Sequence, residues 1–331
     1  MRLRTSAALL PFLLAPATVP AGTIRVPADV ATIQAALDGA QTNDEVEIES
    51  GVYHEAVDAH PATNVVVRAK GNVRIDAKGL AAAAFSVVGT NLQIVGLRIT
   101  GGDADGFVLG GTNVQATDCQ VSGIGGRGFR ADGLNVQVTN CRVKKSGLEG
   151  LSVQSGASAA FMGCKVVGVR GDGARIASSN VTIDGTKFVA AQGDGIREET
   201  GNPLSGNAYT NNHLTGPAGN GFDLVSDGVT LTANTIAQAK GNGIDVEGDG
   251  AQVQSNKVSG AHGNGIIVGG DDGTYTGNKA LGSKGNGFRL DGSGNVLSQN
   301  IAKGSLGVDL RDNSGGANTV QPDNKFKHTS P

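Results

Sequence analysis

The sequence predicts an all-β fold, a right-handed parallel β-helix (a solenoid) of about 10–12 coils, from three observations. A glycine followed by an apolar or small residue recurs about every 22 residues. Within each repeat, apolar and polar residues alternate, which is typical of strands and not of helices. Asparagine occupies the same position in five successive repeats. One repeat cannot bury its own apolar face, so we expect the repeats to stack, with right-handed crossovers between parallel strands.

The glycine series is the most regular of these features. Its members are 20 to 26 residues apart, and the commonest spacing is 22. The series accounts for part of the glycine content, which is 53 of 331 residues. Ala84-Phe85 extends it one repeat earlier, so the repeats begin at about residue 84. The glycines are Gly106, Gly128, Gly150, Gly173, Gly195, Gly221, Gly243, Gly265, Gly287 and Gly307.

The repeated asparagines predict a ladder inside the solenoid. Stacked amides can hydrogen-bond from coil to coil and satisfy the backbone of the turn. In earlier repeats the same position holds the three cysteines and a threonine. A metal site and a disulfide are alternatives, but we expect buried thiols, because parallel Cβ vectors keep neighbouring Cβ atoms too far apart for an unstrained bond. The column contains Cys119, Cys141, Cys164, Thr186, Asn212, Asn234, Asn256, Asn278 and Asn300.

The two ends of the chain differ from the repeats. Residues 1–21 resemble an export signal, with Arg2 and Arg4 before a short apolar run at residues 7–14 and cleavage after Ala17 or Ala21. We therefore expect a secreted or periplasmic protein. The β-helix domain is predicted at residues 22–312, opening with a capping helix at about residues 29–38 that has Asp29 as its N-cap. Residues 313–331 are predicted to form an irregular tail.

Composition excludes several classes of partner. The formal net charge is −3, so the chain lacks the basic surplus of a nucleic-acid-binding domain. No apolar run is long enough for a membrane span. Tryptophan is absent, and most of the 12 Phe and Tyr residues fall in inward columns. Any glycan binding is therefore expected to use polar and charged groups, and the protein is expected to be a monomer.

A family resemblance is carried by two stretches. Residues 23–57 resemble the opening of secreted right-handed β-helix proteins, which include pectinesterases, pectate-lyase-like proteins and periplasmic NosD-type proteins. Residues 241–258 are similar to the general parallel β-helix repeat. The resemblance implies a pectin-lyase-like fold and a polysaccharide as the partner. It implies no particular enzyme family, because the catalytic motifs of these enzymes are missing and His262 alone matches part of one.

The repeat that begins at Gly195 is the most irregular, and it carries the candidate site. It has a four-residue insertion within residues 199–207, and Glu198 stands where other repeats have an apolar residue. Neighbouring repeats place Asp172 beside Asp194 and Arg175 beside Arg197. We expect these five residues to bind an acidic sugar, with Arg197 and Glu198 as candidate catalytic groups. The alternative is weak surface pairing of Asp with Arg.

No cofactor is expected, although a second column of carboxylates is a weak candidate for a Ca²⁺ site. Asp227, Asp249 and Asp271 lie in successive turns, where they are either Ca²⁺ ligands or ordinary turn residues, and the turn interpretation is favoured. Three functions remain open. The chain binds or cleaves an extracellular, acidic polysaccharide by β-elimination or hydrolysis, or it is a non-catalytic structural or adhesion solenoid, or it is a NosD-like accessory protein.

Overall fold

In a computed structural model that describes residues 22–154, 156–201 and 203–330, the chain is a right-handed parallel β-solenoid of about 14 turns. This confirms the predicted fold, although the solenoid has more turns than the 10–12 expected, because coils also form before residue 84 and after residue 312. The strands form a sheet of 24 strands (the first sheet) and a sheet of 13 strands (the second sheet). The predicted export signal lies outside the described residues.

A typical turn contributes one strand to the second sheet and then two strands to the first sheet. The strands of the second sheet are Val57–Ala59, Phe85–Thr90, Phe107–Thr112, Phe129–Ala131, Leu151–Val153, Ala174–Ile176, Ile196–Glu198, Phe222–Leu224, Ile244–Val246, Ile266–Val268, Phe288–Leu290, Leu310–Asp312 and Thr329–Ser330. Most are three residues long, so the middle side chain faces outward and the outer two face the core.

The first sheet bends between the two strands of each turn. Its strands are Thr23–Val26, Glu45–Tyr53, Val66–Asp76, Gln93–Val95, Arg98–Thr100, Gln115–Thr117, Gln120–Ile124, Val136–Thr139, Arg142–Ser146, Ala159–Met162, Lys165–Val167, Thr182–Asp184, Lys187–Val189, Ala208–Thr210, His213–Thr215, Thr230–Thr232, Thr235–Ala237, Gln252–Gln254, Lys257–Ser259, Thr274–Thr276, Lys279–Leu281, Val296–Ser298, Ile301–Lys303 and Thr319–Val320.

The predicted asparagine ladder occupies the bend of the first sheet. The backbone N–H of Asn212 donates to Oδ1 of Asn234 at 2.9 Å, and Asn234, Asn256 and Asn278 repeat the bond to the next asparagine. The three cysteines are free and buried in the same column, as expected. There Sγ of Cys141 accepts the N–H of Cys119 at 3.3 Å. Side chains of the ladder thus satisfy buried backbone donors from one turn to the next.

The helix is shorter than predicted and has a different N-cap. It spans Ile33–Gly39, and Oγ1 of Thr32 accepts the N–H of Ala35 at 3.1 Å. Asp29 instead accepts the N–H of Arg25, four residues earlier in the chain, at 2.7 Å. The carboxylate of Glu55 accepts the N–H groups of Ile33 and Gln34, both at 3.0 Å. Three donors of the first helical turn are thereby satisfied; that the helix caps the core remains a prediction.

The C-terminal segment is more regular than the predicted tail. Thr319–Val320 and Thr329–Ser330 pair with the preceding turns of the two sheets. Asn324 extends the ladder by accepting the N–H of Asn300 at 2.9 Å. The last member of the predicted glycine series, Gly307, is also wrong. Phe288 pairs with Leu310, so the repeat position falls on Asp309-Leu310 and not on Gly307-Val308.

Candidate functional site

A column of charged side chains runs along the outer face of the second sheet. Arg175, Arg197, Asp223 and Asp245 are the middle residues of four successive strands and pair in register. Because parallel strands stack about 4.8 Å apart, these side chains are close neighbours. Together with Asp172 and Asp194 they form what we call the charged face. The structure therefore brings together four of the five predicted site residues.

Asp172 and Asp194 lie in the turns that lead into these strands. Oδ1 of Asp172 accepts the N–H of Asp194 at 2.8 Å, and Oδ1 of Asp194 accepts the N–H of Asn220 at 2.5 Å. Asp172 is 8% exposed. Both carboxylates hold the turns together and form one wall of the charged face.

The two arginines are half-exposed and make ion pairs with neighbouring carboxylates. Nε of Arg175 lies 2.6 Å from Oε1 of Glu199, and its Nη1 lies 3.6 Å from Oε1 of Glu149. Nε of Arg197 lies 3.8 Å from Oδ2 of Asp223. The side chains of Arg175 and Arg197 are 43% and 45% exposed, so their guanidinium groups remain accessible to a ligand.

Four carboxyl groups of the charged face have raised pKa values. Burial is the largest cause for each of Asp172, Asp194 and Asp223, and neighbouring carboxylates add to the effect. The pKa of Asp245 is raised to about 6, first by burial and then by the charge of Asp223. A carboxyl group that is partly protonated near neutral pH can donate a proton to a leaving group.

Glu198 does not belong to the charged face, which corrects the prediction. It is 1% exposed, because it points inward from the strand whose middle residue is Arg197. Its Oε1 accepts bonds of 2.7 to 2.8 Å from Asn207, Tyr209 and the Ser226 hydroxyl. Its Oε2 accepts the N–H groups of Val225 and Ser226, both at 2.8 Å. A carboxylate so enclosed binds no polysaccharide at the surface.

The inserted segment follows Glu198 and is anchored to the solenoid. Leu204 is 4% exposed, Asn207 is fully buried, and Ser205 bridges to Asp227 in the next turn. Asn207 donates to Glu198, so the buried carboxylate ties the insertion to the core. Glu199, at the start of the insertion, is the partner of Arg175.

The three candidate Ca²⁺ ligands act as turn residues. Oδ1 of Asp227 accepts the N–H of Asp249 at 3.0 Å, and Oδ1 of Asp249 accepts the N–H of Asp271 at 2.8 Å. Asp271 accepts the N–H of Ser293 in the same way. Over residues 22–154, 156–201 and 203–330, no group of three or more His, Cys, Asp or Glu residues is arranged to hold a metal ion.

Asp223 and Asp245 were not predicted from the sequence to be site residues. Each directly follows the apolar residue of the repeated dipeptide, as Arg175 and Arg197 do, and this shared offset is the signal that could have found them. His213, a weaker candidate in the sequence, is exposed on the first sheet, where it pairs with Lys187 and not with the charged face.

The comparisons with solved structures concern the fold, since the three structures that follow are each below 25% identical to this chain. The A-module of mannuronan C-5 epimerase AlgE4 from Azotobacter vinelandii is 15% identical with a TM-score of 0.71, over 91% of this chain and 95% of that one. A PL6 family polysaccharide lyase from Pseudopedobacter saltans is 14% identical with a TM-score of 0.65, over 93% and 92%. The catalytic domain of a GH87 α-1,3-glucanase is 10% identical with a TM-score of 0.65, over 92% and 69%.

No curated protein matches the chain in sequence. In the part of the chain that the structure describes, no helix has the length and apolarity that crossing a membrane requires. A family model, described as the right-handed beta helix region, matches residues 83–236 and 210–330. These matches cover most of the described solenoid, and the chain belongs to the right-handed β-helix family.

Proposed function

We propose that the charged face binds an extracellular, acidic polysaccharide and hydrolyses its glycosidic bonds. The observation that carries the proposal is the stack of Arg175, Arg197, Asp223 and Asp245, in which two accessible guanidinium groups adjoin two carboxyl groups of raised pKa. The polysaccharide-acting proteins that share the fold, an epimerase, a lyase and a glucanase by name, support a role in polysaccharide chemistry.

Arg175 and Arg197 bind the uronate carboxylates in this proposal. A guanidinium group offers paired N–H donors that match the geometry of a carboxylate. The arginines lie on adjacent turns, so they can contact neighbouring sugars of a chain that runs along the solenoid axis.

Asp245 is the general acid and Asp223 its partner. Hydrolysis of a glycosidic bond requires one carboxyl group that protonates the leaving oxygen and a second, ionised one that acts as base or nucleophile. Asp245, with a pKa of about 6, suits the first role. Burial raises the pKa of Asp223 as well, but the guanidinium of Arg197, 3.8 Å away, opposes this rise and suits Asp223 to the second role.

The test compares Asp245→Asn, Arg197→Gln and the control Arg311→Gln on a panel of polyuronates, by release of reducing ends. Arg311 is the middle residue of a strand of the second sheet three strands beyond Asp245. Asp245→Asn should lower kcat by about 10²–10⁴-fold, Arg197→Gln should raise KM, and Arg311→Gln should leave both unchanged. Wild-type activity should fall as the pH rises above about 6, because Asp245 then loses its proton. Full activity of Asp245→Asn, or an unsaturated product typical of elimination, would contradict the assignment.

A non-catalytic solenoid is the second candidate, and one observation favours it. The carboxylates of Asp172 and Asp194 already accept backbone N–H groups from the next turn, as purely structural residues do. This candidate predicts polyuronate binding without turnover. The secreted or periplasmic location inferred from residues 1–21 suits both candidates, since acidic polysaccharides are extracellular materials.

A further inference from the structure

A stripe of cationic side chains follows the first sheet on six of its strands. Arg74, Arg98, Gln120, Arg142, Lys165 and Lys187 pair in register and form one outward column over six turns. Lys144 lies two residues after Arg142 on the same face. Five of the six cations are exposed and Lys165 is half-buried. We call Arg74, Arg98, Arg142, Lys144, Lys165 and Lys187 the basic stripe.

The cations of the basic stripe have no carboxylate partners, whereas several cations elsewhere on the solenoid are paired. Arg68 lies 2.6 Å from Glu45, Lys70 2.8 Å from Glu47, and Arg130 2.7 Å from Asp132. Among the described residues, no cation of the stripe lies within 4.0 Å of a carboxylate. Like charges on directly paired strands destabilise a sheet. An anion bound along the stripe would relieve this repulsion.

A groove coincides with the first four turns of the basic stripe. It has a volume of about 520 Å³ and extends from Arg74 to Arg142. Arg74, Arg98, Arg142 and Lys144 line it, and Thr100 and Ser122 add two hydroxyl groups. The groove thus combines positive charge with hydrogen-bonding groups that suit sugar hydroxyls.

We propose that the basic stripe is a second polysaccharide-binding site. It holds a linear polyuronate along the solenoid axis on the first sheet, whereas the charged face lies on the second sheet. The column presents about one cation for each turn of about 4.8 Å, and a polyuronate carries one carboxylate on each sugar. Positive charges therefore recur along the stripe at about the interval at which a pyranose chain advances. The proposal does not depend on catalysis at the charged face.

The same observations disfavour a nucleic acid. Phosphates of one DNA strand are about 3.4 Å apart along the axis, which is closer than the turns of the solenoid. Proteins that bind single strands usually add exposed aromatic rings on which bases stack. The lining of the groove contains no aromatic residue, and the largest fully buried side chains of the described chain are nine of its Tyr and Phe residues.

The experiment measures the binding of polygalacturonate oligosaccharides by calorimetry at low and high salt. The test variant is Arg98→Gln/Arg142→Gln, because Gln120 stands between them in the same column and shows that glutamine fits there. The control variant is Lys257→Gln/Lys279→Gln, which removes two charges from the same sheet beyond the stripe. The double variant of the stripe should weaken binding roughly tenfold at low salt, and the control should bind like the wild type.

Three further arms make the outcome decisive. Methyl-esterified polygalacturonate, which lacks the charges, should bind far more weakly than the free acid, and binding should weaken as salt is added. Arg197→Gln/Asp245→Asn, which disables the charged face, should keep the salt-dependent binding at the stripe, and Arg98→Gln/Arg142→Gln made in that background should lose it. Equal loss in the stripe and control variants would overturn the proposal, as would tighter binding of a DNA duplex than of polygalacturonate at the same salt.

Discussion

The hydroxyl of Tyr209 donates a hydrogen bond of 2.7 Å to the carboxylate of Glu198 in the interior of the solenoid. Both residues are at most 1% exposed. Burial, and then the charge of Glu198, raise the pKa of Tyr209 well above its ordinary value, so the phenol remains a donor. A buried charge is tolerated when every lone pair finds a donor, and five donors surround this carboxylate.

Glu198→Gln is expected to destabilise the protein by about 2–4 kcal/mol. An amide replaces one acceptor oxygen by a donor, so its NH₂ meets N–H or O–H donors and leaves them unsatisfied, at about 1–3 kcal/mol each. The measurement is the midpoint of urea unfolding. Glu199→Gln is the matched control, because it breaks a half-exposed ion pair and should cost less than about 1 kcal/mol. Equal midpoints for the two variants would show that the buried network contributes nothing.

Removing the hydroxyl groups of Tyr209 and Tyr275 is expected to have opposite effects. The two rings lie in the same inward column, three turns apart. Tyr209→Phe loses a bond to a charged group and should cost about 1.5–3 kcal/mol. The buried hydroxyl of Tyr275 makes no hydrogen bond to the described residues, so Tyr275→Phe should be neutral or stabilising. Thermal unfolding of both variants decides the matter, and a loss at Tyr275 as large as that at Tyr209 would contradict it.

The inward columns could be predicted because they depend on spacing alone. Phe107 and Phe129, 22 residues apart, stack with ring centroids 4.9 Å apart, as the repeat requires. The partners of Glu198 could not be predicted in the same way. Asn207 comes from the insertion and Ser226 from the next turn, so the spacing of the repeats does not bring either of them to Glu198.

The outward columns were predicted only in part, because solvent accepts many residue types there. Arg175 and Arg197 were expected to be neighbours, but Asp223, Asp245 and then Ile267 follow at the same position, so no residue type recurs along the whole charged face. The basic stripe is interrupted by Gln120 and depends on the register of the strands. An outer ladder that joins Asn64, Asn91 and Asn113 was also missed, because the spacing between its first two members is 27 residues.

Asn256→Ala is expected to cost about 2–5 kcal/mol. Oδ1 of Asn256 accepts the backbone N–H of Asn234 at 2.9 Å, and its Nδ2 donates to the carbonyl of Leu231 at 3.0 Å. Alanine leaves both buried backbone groups unpaired, at about 1–3 kcal/mol each. The control is Asn113→Gly in the outer ladder, where the bonds join exposed side chains and φ is +57°, which glycine adopts freely. Chemical unfolding should show that this control loses less than about 1 kcal/mol of unfolding free energy. If both variants lose a similar amount, the inner ladder does not stabilise the protein more than the outer one.

Asp245→Asn is expected to stabilise the protein at high pH and to have little effect at low pH. In the folded protein the pKa of Asp245 is about 6, against about 3.9 for a free side chain. The folded state therefore binds this proton more tightly than the unfolded state, and the wild type loses stability as the pH rises from about 4 to about 6. Asparagine does not ionise, so its advantage should grow to at most about 3 kcal/mol above pH 6, because the two pKa values differ by about two units and each unit corresponds to about 1.4 kcal/mol. Urea unfolding at a series of pH values measures the difference between variant and wild type. If the difference in stability between variant and wild type does not change with pH, Asp245 does not have a raised pKa.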